Sequence, residues 1–211
     1  MGNPTLVAIN IAYAVPVPWG QLKRSAIDKR PVSIPGRAHR LGLDGDEQAD
    51  SKHHGGVDKA LYAFAREDAE AWERELGRPL PPGSFGENLT TQGLEITRAV
   101  IGERWQIGRA ILEVSSPRIP CSVFAGFVGE PDWIKRFTAR GCPGAYLRVL
   151  EEGVLSAGDQ ISVVHRPGHG VTISDVFRAK SGEADLIPRL LLAPELPEKM
   201  REWARARMHS R

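Results

Sequence analysis

Cysteine is scarce. The chain has 211 residues and two cysteines, Cys121 and Cys142. That count excludes a disulfide framework, a four-cysteine zinc site and a four-cysteine iron–sulfur cluster. No apolar run approaches the roughly 18 residues needed to span a bilayer. There is no basic stretch ahead of the apolar residues near the N-terminus, so a secretory signal is not expected. The expectation is a cytoplasmic, reducing location with both thiols free. An excess of one charge is also missing. Lys and Arg total 28 against 26 Asp and Glu, a net charge of +2. Neither a nucleic-acid binder nor a protein of anionic membrane surfaces is expected from that balance. No repeat or low-complexity segment occurs.

What is present is enough apolar sequence to fold. Hydrophobic residues make up 41% and charged residues 26%. The 22 glycines and 16 prolines argue against a helical bundle and for many turns between short strands. The fold class read from this is mainly β, within α+β. Thr5 to Ala14 reads as a buried opening strand. The basic stretch from Gln21 to Pro31 reads as a second strand, with Lys23, Arg24, Lys29 and Arg30 on one face. Leu43 to Gly56 has no period and reads as a long loop, a common place for function. Val57 to Phe64 suits a strand or a helix start. Arg66 to Leu76 is a helix, stopped by Gly77 and Pro79. Pro81 to Gly93 reads as irregular. Leu94 to Val114 reads as short strands, with Ala110 to Val114 buried. A short helix is expected over Asp132 to Thr138, and strands over Gly144 to Glu151 and Gln160 to His165. Beyond a boundary near Gly170 the composition turns helical.

Five clusters bear chemistry. In Pro117-Arg118-Ile119-Pro120-Cys121, two prolines and an arginine fix a cysteine at a strand end. A nearby cation favours thiolate, which is a nucleophile and a soft-metal ligand; a buried, inert thiol is the plain alternative. His53-His54-Gly55-Gly56 pairs imidazoles with glycines that let backbone approach a ligand, or is simply a solvated turn. In Gly86-Glu87-Asn88-Leu89-Thr90-Thr91, Asn88 and Thr90 suit the polar edge of a ligand. Glu87 there suits the holding of a histidine or arginine, unless the segment only caps its own turns. The basic set around Arg24, Ser25 and Lys29 suits phosphate, or is a solvated face. Asp44, Asp46, Glu47 and Asp50 fail the EF-hand pattern and read as partners for basic residues.

Taken in order, GDEQADSKHHGGVDKALYAF, GSFGENLTTQGL, IGERWQIGRAILEV, SPRIPC and YLRVLEEGVLSAGDQI closely resemble the MOSC domain family, in particular its YiiM-like branch. The name refers to the C-terminal domain of molybdenum cofactor sulfurases. The resemblance runs from about Ser25 to Val164. The tail, from GVTISDVF to REWARAR, resembles the three-helix appendage of that branch. This implies a β-barrel with peripheral helices over residues 1–170 and a helical appendage over 171–211.

It implies further that Cys121 either ligates the molybdenum of a molybdenum–pterin cofactor or carries sulfur as a persulfide. Arg24, Ser25, Lys29, His54, Gly55, Gly56, Glu87, Asn88 and Arg118 become the candidates for holding the cofactor. His53, His54 and Asn88 become candidates for the open metal face. The implied activity is reduction of N-hydroxylated small molecules such as hydroxylamino bases. Electrons would come from a separate flavodoxin, ferredoxin or reductase. The alternative is a sulfur carrier acting through a persulfide on Cys121. Pyridoxal phosphate is not expected on this chain. Cys142 lies outside these motifs and reads as structural. Tyr62, Phe64, Phe85, Trp105 and Phe124 lie near the motifs and read first as core.

Overall fold

The structure, a computed structural model, describes residues 2–19, 23–49 and 55–209. In chain order the strands are β1 (Thr5–Ile11), β2 (Val15–Pro16), β3 (Arg24–Ser25), β4 (Arg30–Val32), β5 (Gly36–His39) and β6 (Gly42–Leu43). A 3-10 turn at Val57–Lys59 then leads into β7 (Leu61–Ala65), helix α1 (Arg66–Leu76) and β8 (Leu89–Gln92). There follow β9 (Arg104–Ile107), β10 (Ala110–Pro117), α2 (Ser122–Val128), α3 (Trp133–Arg140), β11 (Ala145–Glu151), β12 (Gly153–Leu155) and β13 (Ile161–His165). Helices α4 (Ile173–Lys180), α5 (Ile187–Leu190) and α6 (Glu198–His209) complete the chain.

Eight strands form one sheet in the order β13-β9-β10-β11-β7-β8-β1-β4. Every pairing is antiparallel except β7 with β8. The expected barrel is not closed among the described residues. The start of β1, next to the β4 edge, touches the start of β13 and the turn before it, where Ile161 N–H donates to the Pro4 carbonyl at 2.8 Å. There Thr5 and Gln160 form an isolated bridge, and Leu6 N–H donates to the Asp159 carbonyl at 2.9 Å. The fold is a large, mixed α+β sheet assembly with helices on its faces.

β7 explains how two cores form. All five of its residues are buried, and side chains alternate across a strand. Leu61, Ala63 and Ala65 join an aliphatic core with Leu6, Leu112 and Leu147. Tyr62 and Phe64 join an aromatic core with Trp72, Phe85, Phe124, Trp133 and Phe137 under α1, α2 and α3. The C-terminal helices bury Ile173, Val176, Leu190 and Ala204 in the aliphatic core. A capping box between Thr172 and Asp175 starts α4.

Three local expectations change. Residues 23–31 do not make one strand. Ser25 Oγ accepts the Ile27 N–H at 3.2 Å, and Lys29 N–H donates to the Ile27 carbonyl at 2.8 Å. This tight bend separates β3, paired with β2, from β4, paired with β1. The stretch read as irregular contains β8, where Leu89, Thr90 and Thr91 are buried between β7 and β1. Finally, Ile96–Arg98, within the stretch read as short strands, is a 3-10 turn. The residues after Cys121, not assigned from the sequence, form helix α2, closed by Gly129. No helix of the described residues is long and apolar enough to cross a membrane.

Candidate functional site

The site begins where β10 ends. Pro117 is its last residue, and Arg118 turns inward and is buried. Its Nη1 donates to the Phe85 carbonyl at 2.9 Å. Its guanidinium lies over the Phe124 ring, 4.2 Å from the centroid, and 5.0 Å from that of Tyr62. Arg118 Nε is enclosed with no hydrogen-bond partner. Burial works against its charge, yet Tyr146, Tyr62, Cys121 and Glu87 together hold its pKa above the ordinary arginine value. Cys121 then occupies the N-cap of α2 in an extended conformation and is half-buried.

These residues border a cavity of about 390 Å³, within the size range of small-molecule sites. Of the residues singled out in the sequence, Arg24, Ser25, Lys29, Asn88, Arg118 and Cys121 all line it. They come from β3, the bend before β4, the loop before β8 and the end of β10. Gly86 makes the close approach possible. Its φ is +71°, and a Cβ there would lie 2.7 Å from Ile27 Cγ1 and 3.4 Å from Arg118 Nη1.

The floor is a buried polar network. The Lys29 ammonium pairs with Asp46 Oδ1. Asp46 Oδ1 also accepts the Ala12 N–H at 2.9 Å, and Oδ2 accepts Asn88 Nδ2 at 2.9 Å. Desolvation pulls the Lys29 pKa down; Asp46 pulls it back up, and Arg118 lowers it again. Outside this buried network, the exposed Glu47 accepts the Ala14 N–H at 2.6 Å. Thus Asp46 partners a basic residue, as the sequence suggested.

Several candidates stand elsewhere. His53, His54 and Asp50 lie outside the described residues. Gly55 and Gly56 do not line the cavity. Gly56 N–H donates to Gln48 Oε1 at 3.2 Å and starts the turn that carries Lys59 to the site. Glu87 faces its own loop instead of a histidine or arginine. It accepts from Gly83 N–H at 2.7 Å, Phe85 N–H at 3.0 Å and the Thr90 hydroxyl at 2.8 Å. Burial pushes its pKa up while those three bonds oppose the rise. Asn88 lines the cavity, but its amide is already committed. Its Oδ1 takes the Tyr62 N–H, and Nδ2 serves Asp46 and the Asn10 carbonyl. Cys142 is half-buried away from this cavity, its thiol 3.7 Å from the Arg140 carbonyl. Burial, then the Asp68 carboxylate, push that thiol up to about 11.

The sequence reading missed Lys59 and Tyr146, and read Tyr62 first as core. Tyr62 and Tyr146 sit opposite one another on β7 and β11, ring centroids 5.2 Å apart, and both line the cavity. Lys59 Nζ lies 5.2 Å from the Tyr146 ring centroid. Register was the available signal: a tyrosine two residues into each buried strand.

Residues 50–162 match the family model described as MOSC domain. The chain belongs to the MOSC domain family. Across 185 residues it is 35% identical to YflK of Bacillus subtilis (strain 168), covering 86% of this chain and 84% of that one. The crystal structure of YiiM from Geobacillus stearothermophilus superposes with a TM-score of 0.81 at 30% identity, covering 97% of this chain and 98% of that chain. A protein of Gibberella moniliformis named "Reductase" is 32% identical over 178 residues. That match covers 81% of this MOSC chain but 31% of the fungal protein.

Proposed function

We propose that this MOSC protein is a molybdenum-cofactor-dependent oxidoreductase that reduces N-hydroxylated small molecules such as hydroxylamino bases. The observation that carries the proposal is the convergence of Cys121 with Arg24, Lys29 and Arg118 on one cavity.

The donor set fits such a cofactor. Among the described residues no three His, Cys, Asp or Glu side chains cluster as a metal cage. Cys121 offers a soft donor, suited to a metal whose other ligands arrive with an organic cofactor. Arg24 and Lys29 supply cations for a phosphate or nucleotide end. Arg118, enclosed with an unpaired Nε, keeps positive charge beside the thiol. When bound, the cofactor supplies two-electron chemistry. Overall, the N–O bond of R–NHOH is cleaved; two electrons and two protons give R–NH2 and water. The electrons come from a separate flavodoxin, ferredoxin or reductase. The protein's own part is to fix the cofactor, orient the N–OH group and limit water. The similarity to a protein named as a reductase is in keeping with this reading.

The test is elemental analysis with intact mass on protein made in a molybdate-fed, cofactor-producing host, wild type beside Cys121→Ser. Near-stoichiometric molybdenum in wild type and its loss in the variant are expected. Metal-free wild type with one extra sulfur on Cys121 would overturn the proposal in favour of sulfur transfer.

A further inference from the structure

The two tyrosines of the cavity are not equivalent. The Tyr62 hydroxyl is committed, donating to the Pro143 carbonyl at 2.7 Å. Gly144 makes this possible. A Cβ there would lie 2.8 Å from both Tyr62 Oη and Tyr62 Cε2, and its φ is +67°. Tyr146 is also more than nine-tenths buried. Its hydroxyl, however, has no hydrogen-bond partner among the described residues. Nor is it one of the fully enclosed orphan polar atoms. It therefore opens onto the cavity that its ring lines.

A hydroxyl with no protein partner at a cavity wall is free to donate to a ligand in place of water. The surrounding contacts hold it still. Tyr62 flanks the ring on one neighbouring strand. The single proton of the Ser115 hydroxyl is shared between the Tyr146 carbonyl at 3.0 Å and, second, the Asp58 carbonyl at 2.5 Å. That second bond anchors the turn carrying Lys59. Cys121 and Arg118 line the same cavity as Tyr146.

We propose that the Tyr146 hydroxyl is a substrate-binding donor that hydrogen-bonds the oxygen of the N–OH group and so selects oxygenated substrates over their deoxygenated products. This rests on the reductase reading, because only there does an N–OH substrate enter the cavity that Cys121 lines. The role needs only the protonated phenol.

The experiment compares wild type, Tyr146→Phe and Cys121→Ser. Tyr146→Phe keeps the ring and its packing and removes only the donor. Calorimetry measures binding of N6-hydroxyadenine and of adenine to each protein; steady-state kinetics follow N6-hydroxyadenine reduction with a chemical reductant. Loss of one hydrogen bond predicts roughly tenfold weaker binding of N6-hydroxyadenine to Tyr146→Phe, with adenine binding unchanged. KM should rise by a similar factor. Equal weakening for both ligands, or no weakening for either, overturns the proposal. Failure of the reductase reading shows separately, as absence of reduction by wild type or its retention in Cys121→Ser.

Discussion

Removing the charge of Asp46 while keeping its shape strikes the pair beneath the cavity. In Asp46→Asn the Oδ1 position can still accept from Ala12 N–H. The new amide nitrogen must then face Asn88 Nδ2, donor against donor, while Lys29 loses its counter-charge. The Lys29 and Asp46 side chains are 9% and 3% exposed, so water replaces the lost pairing poorly. Breaking a buried pair by removing one partner costs about 3–5 kcal/mol. For a chain of this length that lowers the melting temperature by roughly 10 °C.

The pH dependence separates this account from a general packing defect. Lys29 already has a folded-state pKa below its unfolded value, through desolvation. In the variant the two upward contributions of Asp46 vanish, leaving burial and Arg118, so the value falls further. Between the folded and unfolded pKa the unfolded chain binds more protons, and stability rises with pH. The stability is therefore lost as pH falls through the folded pKa. Melting followed by circular dichroism at pH 7 and pH 9.5 should show a large deficit at pH 7 and a clearly smaller one at pH 9.5. Lys29→Met on the Asp46→Asn background should recover part of the loss at pH 7. A deficit equal at both pH values, with no recovery, would refute the reasoning.

Glu103 is almost fully enclosed and accepts Trp105 Nε1 at 2.8 Å and Arg166 Nε at 2.6 Å; Glu103→Ala should cost about 2–4 kcal/mol in urea unfolding, by orphaning the indole and opening a cavity. A Cβ on Gly126 in α2 would lie 2.5 Å from Trp19 Cγ, so Gly126→Leu should expel Trp19 and red-shift the tryptophan emission at little cost to the far-ultraviolet signal. In Cys121→Ser protein, the alkylation rate of Cys142 should climb about tenfold per pH unit and level off near its pKa of about 11. Asp68→Asn removes a neighbouring negative charge and should speed that reaction at pH 9.

Much of this was legible in the sequence because local signals agreed. α1 carries Trp72 inward and ends on Gly77, so its limits matched the reading. The strands over 145–151 and 161–165 sat between clear turns. β8 was hidden because Glu87 and Asn88, polar yet wholly enclosed, made the segment look like a surface turn; their partners come from the loop itself, Asp46 and β7. α2 was hidden by the two prolines before it and by its short length. At the site, residues in compact motifs such as Arg118 and Cys121 were found. Lys59 and Tyr146 were not, because their role depends on which strands become neighbours, 87 residues apart along the chain.

The double-sided burial of β7 bears on how this pocket could be engineered. Its odd and even residues belong to different cores, so inserting one residue would send Tyr62 and Phe64 into the aliphatic side and Leu61 and Ala63 beneath the cavity. Transplanting the Cys121 loop onto another scaffold would leave behind the strand that holds Tyr62 opposite Tyr146. Keeping the two tyrosines beside the thiol therefore takes at least β7, β11 and the end of β10, and the cations of the cavity, Arg24 and Lys29, come from still other elements.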